Sequence, residues 1–388
     1  MSQEIHNELV RKPWQAWTYI GLFGALLLGF GASNLLAWHD GGLTKTIENG
    51  WSGFAEGKPM RALTEDLRTT PLADWMGQRQ RELGWLVLRD TGPQVHPGCP
   101  GWLFLHDELK VQPHAEHNAE IRADIAIELH RQLAERGTRI LIALVPDKSR
   151  IECDHLCHLK RPARLEPRYD TWLKKLRDAA VPVVELRPAL VEVKQRRGAA
   201  FDRSDTHWNH AGAKAAATAI AATARDLGYA PGAPVQIAVA ASEPRPRWGD
   251  LVHLAGLDRL PEHLRPTPDQ VPDLSFTATH SVSGNVSADD LFGDAPNERV
   301  ALVGTSFSRN AHFADFLSQA LETEVGNLAR DGGGFALSMT DFLEQEAKQG
   351  SPTSWVVWEI TERALQEPLQ AVDQNLIRQG KKDIIAGS

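Results

Sequence analysis

Four uninterrupted apolar runs, interleaved with helix-like stretches, constrain this chain more than any other feature. They are TRILIALVP (138–146), VPVVEL (181–186), ERVALVG (298–304) and SWVVWEI (354–360). A strand with one face in water alternates apolar and polar residues; these do not alternate, so both faces of their sheet must be covered. Between them lie IRADIAIELHRQLAERG, RYDTWLKKLRDAA, an alanine-rich stretch after Trp208, and SRNAHFADFLSQALE, all with helical spacing. The alternation predicts an α/β fold, an open and mostly parallel sheet flanked by helices. In such sheets, sites gather at the carboxyl ends of the strands.

The segment WTYIGLFGALLLGFGASNLLAW, 17–38, carries no charge over 22 residues. It has the length of a bilayer span, with Trp17, Tyr19 and Trp38 at its ends and Arg11 and Lys12 before it. A cleaved signal peptide is the other reading, but the run exceeds a usual signal core and no clear A-x-A site follows. The expected layout is a cytoplasmic tail and transmembrane anchor over 1–39, with the rest of the chain outside the cytoplasm. A helical stalk or subdomain, broken at Thr70-Pro71, follows over 40–95. The third part, 96–388, is expected to be the main folded domain, opened by the turn-and-strand signal PGCPGWLFL. Residues 229–295, rich in Pro, Asp and Ser with little periodicity, read as an insertion or lid.

A formal charge of −8 argues against nucleic acid as a partner, because neutralising phosphates needs clustered Lys and Arg. The basic run Lys160 to Arg177 is interspersed with acids and reads as a solvated helix face. The chain has 12 Trp but 3 Tyr, which suits core packing or stacking on sugar rings. Three cysteines suit an exported domain with at most one internal disulfide. CDHLCH (153–158) has no second half-site for zinc, which leaves a Cys153–Cys157 disulfide or simple thiols.

Two stretches carry candidate chemistry. In SDTHWNHAGAKAAATAIAATARD (204–226), Asn209 or Thr206 can cap the helix that stops at Gly228, but the cap does not explain Asp205-Thr206-His207-Trp208. In RVALVGTSFSRN, Gly304 permits a sharp turn after the strand and places Ser306 at the start of a helix, whose amides can hold an oxyanion. A serine there is by itself an ordinary cap. Read with the other stretch, it acquires a base, His207, and an orienting acid, Asp205. Two alternatives remain open: Asp205, His207 and His210 as metal ligands, or a purely structural Asp205–His207 pair.

DTHW at 205–208 upstream of GTSFS at 304–308 resembles the SGNH-hydrolase-like O-acetyltransferases of exopolysaccharide export, the AlgJ/AlgX type. Supporting matches are GWLFL (101–105), LVPDKSRI (144–151), GDL (249–251) and WEITER (358–363), so the resemblance covers roughly 95–365 in order. An anchor followed by one catalytic domain is the AlgJ layout. As in that family, acid and histidine precede the serine, a motif order permuted relative to ordinary SGNH esterases. The resemblance implies Ser306 as nucleophile, His207 as base and Asp205 as its orienter, with Ser308 the competing hydroxyl. Trp208, Lys148, Arg363 and Gly333, the last within Gly332-Gly333-Gly334, become candidates for binding the acceptor or supporting the site. The activity implied is periplasmic transfer of acetyl, through acetyl-serine, to an exported polysaccharide, with no metal or nucleotide cofactor. The implied partners are the polysaccharide acceptor, a membrane-bound O-acyltransferase as acetyl donor and other export proteins. An acetyl esterase or a silent polysaccharide-binding scaffold is the alternative. The acidic balance leaves a neutral glucan as open as a polyanion such as alginate.

Overall fold

The computed structural model describes residues 13–39, 57, 60–61, 64, 70–232, 234–280, 300–348 and 353–376. The rest of the expected stalk and the end of the insertion, 281–299, lie outside the described residues. The chain divides into two compact units, Met1–Arg89 and Asp90–Ser388.

In the first unit, α1 spans Pro13–His39 and α2 spans Pro71–Leu88. Pro71 occupies the first turn of α2, where its missing N–H breaks no helical bond. The break at Thr70-Pro71 is therefore a helix start. Among the described residues no helix is long and apolar enough to cross a membrane. The expected span 17–38 falls within α1, whose side chains are described for 17–33.

The second unit is built on the sheet the apolar runs require. Strand β3 (Arg139–Val145) lies inside the sheet, paired on one side with the edge strand β4 (Val183–Glu185). Its other neighbour is β11 (Trp355–Thr361), from Trp355 opposite Arg139 to Thr361 opposite Val145. Strand β9 (Val300–Val303) lies beyond β11 and β10 (Val325–Asn327) at the edge, all of them parallel. Successive side chains of β3 go to opposite faces. Leu141, Ala143 and Val145 join a core with α5 (Arg187–Arg197), α6 (His210–Asp226) and α7 (Phe313–Leu321). Ile140, Ile142 and Leu144 join another with α3 (Ala115–Glu135), α4 (Arg168–Asp178) and α8 (Leu337–Glu346). Helix α6 buries Ala213, Ala216, Ala217, Ile220, Ala221 and Ala224, a stripe at steps of three and four that its alanines make shallow.

The insertion has more order than its composition suggested. Strand β5 (Val235–Ala241) pairs antiparallel with β8 (Leu274–His280), and β6 (Arg245–Arg247) with β7 (Asp269–Val271). The alternation in β5 is masked because alanines and valines stand at largely exposed positions.

The cysteine expectation is corrected. Cys99 bonds to Cys157, 58 residues away, and Cys153 is free and exposed. Cys99 lies in the turn between β1 (Val95–Pro97) and β2 (Leu103–Leu105), and its amide donates to the His155 carbonyl at 2.8 Å. Tertiary approach of two loops, invisible in local spacing, selects the pair.

Candidate active site

The loop between α5 and α6 closes on itself before α6 begins. The Asn209 amide donates to the Ala200 carbonyl at 3.0 Å and the Asp202 amide to the His207 carbonyl at 3.3 Å. Asn209 then caps α6, its side chain accepting from the Gly212 amide at 2.9 Å. Asp205, Thr206 and His207 are thereby held in a short irregular turn. Asp205 Oδ1 accepts from both the His207 amide, at 2.9 Å, and His207 Nδ1, at 2.6 Å.

On the neighbouring strand end, β9 gives way to Gly304, Thr305 and a single 3-10 turn, Ser306–Ser308. A Cβ at Gly304 would lie 2.5 Å from Glu359 Oε2, so only glycine lets β9 pass this close to the buried Glu359 on β11. The Glu359 carboxylate accepts from the Thr305 amide at 2.6 Å and from the Ser308 hydroxyl at 3.0 Å. The helix expected to start at Ser306 begins instead at Phe313, and Ser306 sits in the 3-10 turn before it. Ala311 and His312 take left-handed conformations, with φ of 52° and 56°, and redirect the chain before α7.

The two turns meet. His207 Nε2 lies 2.8 Å from Ser306 Oγ, 99 residues away in sequence, completing a line from Asp205 through His207 to Ser306. His207 is buried, packed edge-on to the Phe307 ring with centroids 4.8 Å apart, while Ser306 remains half-buried. Burial alone would raise the Asp205 carboxyl. Hydrogen bonds and charge from His207, with the Asp250 amide, overcome it and hold Asp205 well below the usual carboxylate range. An ionised acid on Nδ1 leaves Nε2 to accept a proton from Ser306.

The other candidate residues stand elsewhere in the architecture. Trp208 is fully buried between Phe307 and Phe313, so it supplies no stacking platform for a sugar. Trp248, on the insertion, turns its Nε1 to the Pro266 carbonyl at 2.8 Å and lies under Arg265. Lys148 is also fully buried. Its Nζ donates to the carbonyls of Leu103, Asp205 and Arg203 at 2.7, 2.8 and 3.0 Å, so it braces the Asp205 turn and cannot reach an acceptor. Arg363 lies over the Phe307 ring, 5.5 Å from its centroid, and 3.8 Å from Glu108, behind the site. The Gly333 amide is committed to the Arg330 carbonyl at 3.1 Å, closing a turn, and is unavailable as an oxyanion donor. His210 is not gathered with Asp205 and His207; its ring neighbours His312, 5.4 Å away.

Three contributors escaped the sequence reading. Asn310 Nδ2 donates to the Ser306 carbonyl at 2.9 Å and stands 3.4 Å from His207 Nε2. Asp250 accepts the Thr206 amide at 2.7 Å and returns its own amide to Asp205 Oδ2 at 3.2 Å. Gly249 beside it is needed because a Cβ there would fall 2.4 Å from that of Asp205. Glu359 underpins the Ser306 turn as described. The GDL and WEITER stretches contained Asp250 and Glu359, and a carboxylate inside an apolar strand was the available signal for the latter.

A serine hydroxyl, an imidazole and a carboxylate in hydrogen-bonded order at the carboxyl end of a parallel sheet are arranged as in serine-dependent acyl-transfer enzymes. Comparison with known proteins narrows that class. A family described as "SGNH hydrolase-like domain, acetyltransferase AlgX" matches residues 95–362. AlgJ of Pseudomonas putida, a protein named "Probable alginate O-acetylase AlgJ", is 32% identical over 94% of this chain and 94% of its own. Its namesake in Pseudomonas aeruginosa is 30% identical over 92% and 91%. The solved O-acetyltransferase domain of Pseudomonas putida AlgJ superposes with a TM-score of 0.64 at 29% identity, covering 75% of this chain and all of that domain. The chain belongs to this SGNH hydrolase-like acetyltransferase family.

Proposed function

We propose that Ser306 carries acetyl from a donor to a hydroxyl of an exported polysaccharide, with His207 as base and acid and Asp205 as its orienter. The observation that carries this reading is the hydrogen-bonded line Asp205–His207–Ser306, at 2.6 and 2.8 Å. Ser306 Oγ attacks the acetyl carbonyl while its proton passes to His207 Nε2. The leaving group departs with that proton, leaving acetyl-Ser306. The acceptor hydroxyl then gives its proton to His207 and attacks the acetyl carbon, and His207 returns the proton to Ser306 Oγ. Ionised Asp205, partly exposed, stabilises the imidazolium in both halves. Asn310 Nδ2 gives one N–H to the Ser306 carbonyl at 2.9 Å and has a second to offer the oxyanion.

The uncharged stretch 17–38 supports an inner-membrane anchor with the acyl-transfer unit in the periplasm, where a membrane-bound O-acyltransferase would supply acetyl. A reporter enzyme active only outside the cytoplasm, fused after Ser388, tests the orientation, and retention in membranes through a high-salt wash tests the anchor. The chemistry is tested by intact mass after exposure to an activated acetyl ester. Acetylation of wild type but not of Ser306→Ala, followed by transfer to added oligosaccharide, supports it. An unlabelled Ser306, or acetyl lost only to water across neutral and acidic oligosaccharides, refutes the transferase reading.

A further inference from the structure

Helix α2 carries its apolar face outward. At 3.6 residues per turn, Leu72, Trp75, Met76, Leu83, Leu86 and Val87 fall within an arc of about 120°. On that arc Trp75 is 56% exposed, Leu83 60% and Val87 74%. The buried positions, Gln78, Glu82 and Trp85, lie on the neighbouring arc. There Gln78 Nε2 donates to Glu82 Oε1 at 2.8 Å, so a polar side of the helix is turned inward while the apolar side faces out. Surface hydrophobics are ordinarily scattered; a contiguous row marks a contact surface.

Three observations indicate what covers it. Helix α1, in the same compact unit and in contact with α2, exposes almost every described position from 17 to 32, most of them apolar. A helix apolar on every side is covered on every side, as in a bilayer, and α2 touches it. The charges bordering the apolar arc are cationic. Arg79 lies within the arc, half exposed, and Arg89 at its edge, whereas Asp74 stands on the far side and Glu82 is buried. Long Arg side chains rest on apolar surface and extend their heads to anionic groups. A second copy fits poorly: the apolar positions are symmetric about Arg79, so antiparallel pairing on this face would set Arg79 against Arg79.

We infer that α2 lies flat on a lipid bilayer, with Trp75, Met76, Leu83 and Val87 at the boundary of headgroups and acyl chains and Arg79 and Arg89 among anionic headgroups. This surface contact goes beyond the anchor read over 17–38. A span only tethers the chain; a helix laid on the surface also fixes the direction in which the chain leaves the membrane. The inference draws on the anchor reading in that both helices meet one bilayer, and the test reads the two separately.

The full chain with Cys153→Ser, which removes the free thiol, is given one cysteine at a time, labelled with an environment-sensitive fluorophore and reconstituted in vesicles of phosphatidylethanolamine and phosphatidylglycerol. Labels at Leu83→Cys and Val87→Cys should be severalfold brighter than one at exposed Arg196→Cys, and should be quenched more by a nitroxide near the headgroups than by one deep in the acyl chains. Both positions are exposed, so folding is not at stake, and either suffices. Adding Met76→Asp with Leu86→Asp should return the Val87→Cys label to the brightness of the Arg196→Cys label. A label at Leu26→Cys reads the span, and should respond most to the deep nitroxide. Labels on α2 that match Arg196→Cys while Leu26→Cys is quenched would overturn the inference and leave the anchor. Stronger quenching of the α2 labels by the deep nitroxide, brightness that fades as protein is diluted in lipid, or brightness that neither nitroxide quenches would also overturn it, by showing an embedded helix, a second copy or a protein cover. A Leu26→Cys label in water beside α2 labels at headgroup depth would remove the span and uphold the surface helix.

Discussion

Ser308 Oγ donates to Glu359 Oε2 at 3.0 Å, while Ser306 Oγ, two residues earlier, meets His207 Nε2 at 2.8 Å. One turn thus sends its two hydroxyls to opposite duties. Ser306→Ala should lower turnover of a chromogenic acetyl ester by about a thousandfold or more, and His207→Ala should cost a similar amount, since residues acting as one unit are not additive. Ser308→Ala should retain most activity and lose on the order of 1–2 kcal/mol of stability, because a buried carboxylate forfeits one donor. Near-normal turnover by Ser306→Ala would assign the nucleophile elsewhere.

Asp250 braces the turn that presents His207: its carboxylate accepts from the Thr206 amide and its own amide donates to Asp205 Oδ2. Removing the Asp250 carboxylate leaves the Thr206 amide without its acceptor and loosens the turn. Asp250→Ala should lower kcat about 10- to 100-fold, in line with ~1–3 kcal/mol for an unmade buried bond, with KM for a small ester little changed. Asp250→Asn keeps an acceptor oxygen and should recover most of the rate. Equal loss in both variants would mean that the charge, not the hydrogen bond, matters.

The sheet was legible because burial on both faces leaves an unbroken apolar run, and β3, β9 and β11 fall on three of those runs. Asp205, His207 and Ser306 were legible as residue types that need one another for acyl transfer, and the structure brings them together. What the sequence concealed was direction. Trp208 follows His207 in the chain, yet its side chain packs into the core between Phe307 and Phe313. Lys148 reads as a surface charge until three carbonyls converge on it. The partner of Cys157 depends on loops meeting from distant parts of the chain, which no local pattern encodes.

The Cys99–Cys157 bond closes a loop across 58 residues and ties the β1–β2 turn to the segment after Lys148. The chain-entropy model assigns such a loop about 4 kcal/mol. Cys99→Ser and Cys157→Ser should each lower stability by up to that amount in denaturant unfolding. Cys153→Ser should stay within about 0.5 kcal/mol of wild type, because its thiol is free and exposed. Mass mapping of the oxidised protein should find Cys99 joined to Cys157. A Cys153–Cys157 peptide would overturn the pairing.

Glu359 offers a test with a definite sign in pH. Burial raises its pKa, and the hydrogen bonds from Thr305 and Ser308 only partly offset the rise. In the unfolded chain a glutamate titrates near ~4.3. Between that value and the higher folded one, the native state binds more protons than the unfolded state, so stability falls as pH rises. The stabilisation from this group is complete below the unfolded pKa and is lost as pH climbs through the folded pKa. Glu359→Gln abolishes the titration. Its amide oxygen can still accept from the Thr305 amide and Ser308, and its NH₂ can donate to the Thr305 hydroxyl. The Tm of wild type minus that of Glu359→Gln should therefore decrease steadily as pH is raised from 4 to 8. Activity on a small ester should persist in the variant, since the Ser306 turn keeps its supports. Parallel Tm curves across that range would show that Glu359 titrates alike in the folded and unfolded chain. A difference that grew with pH would mean that its folded pKa is depressed instead.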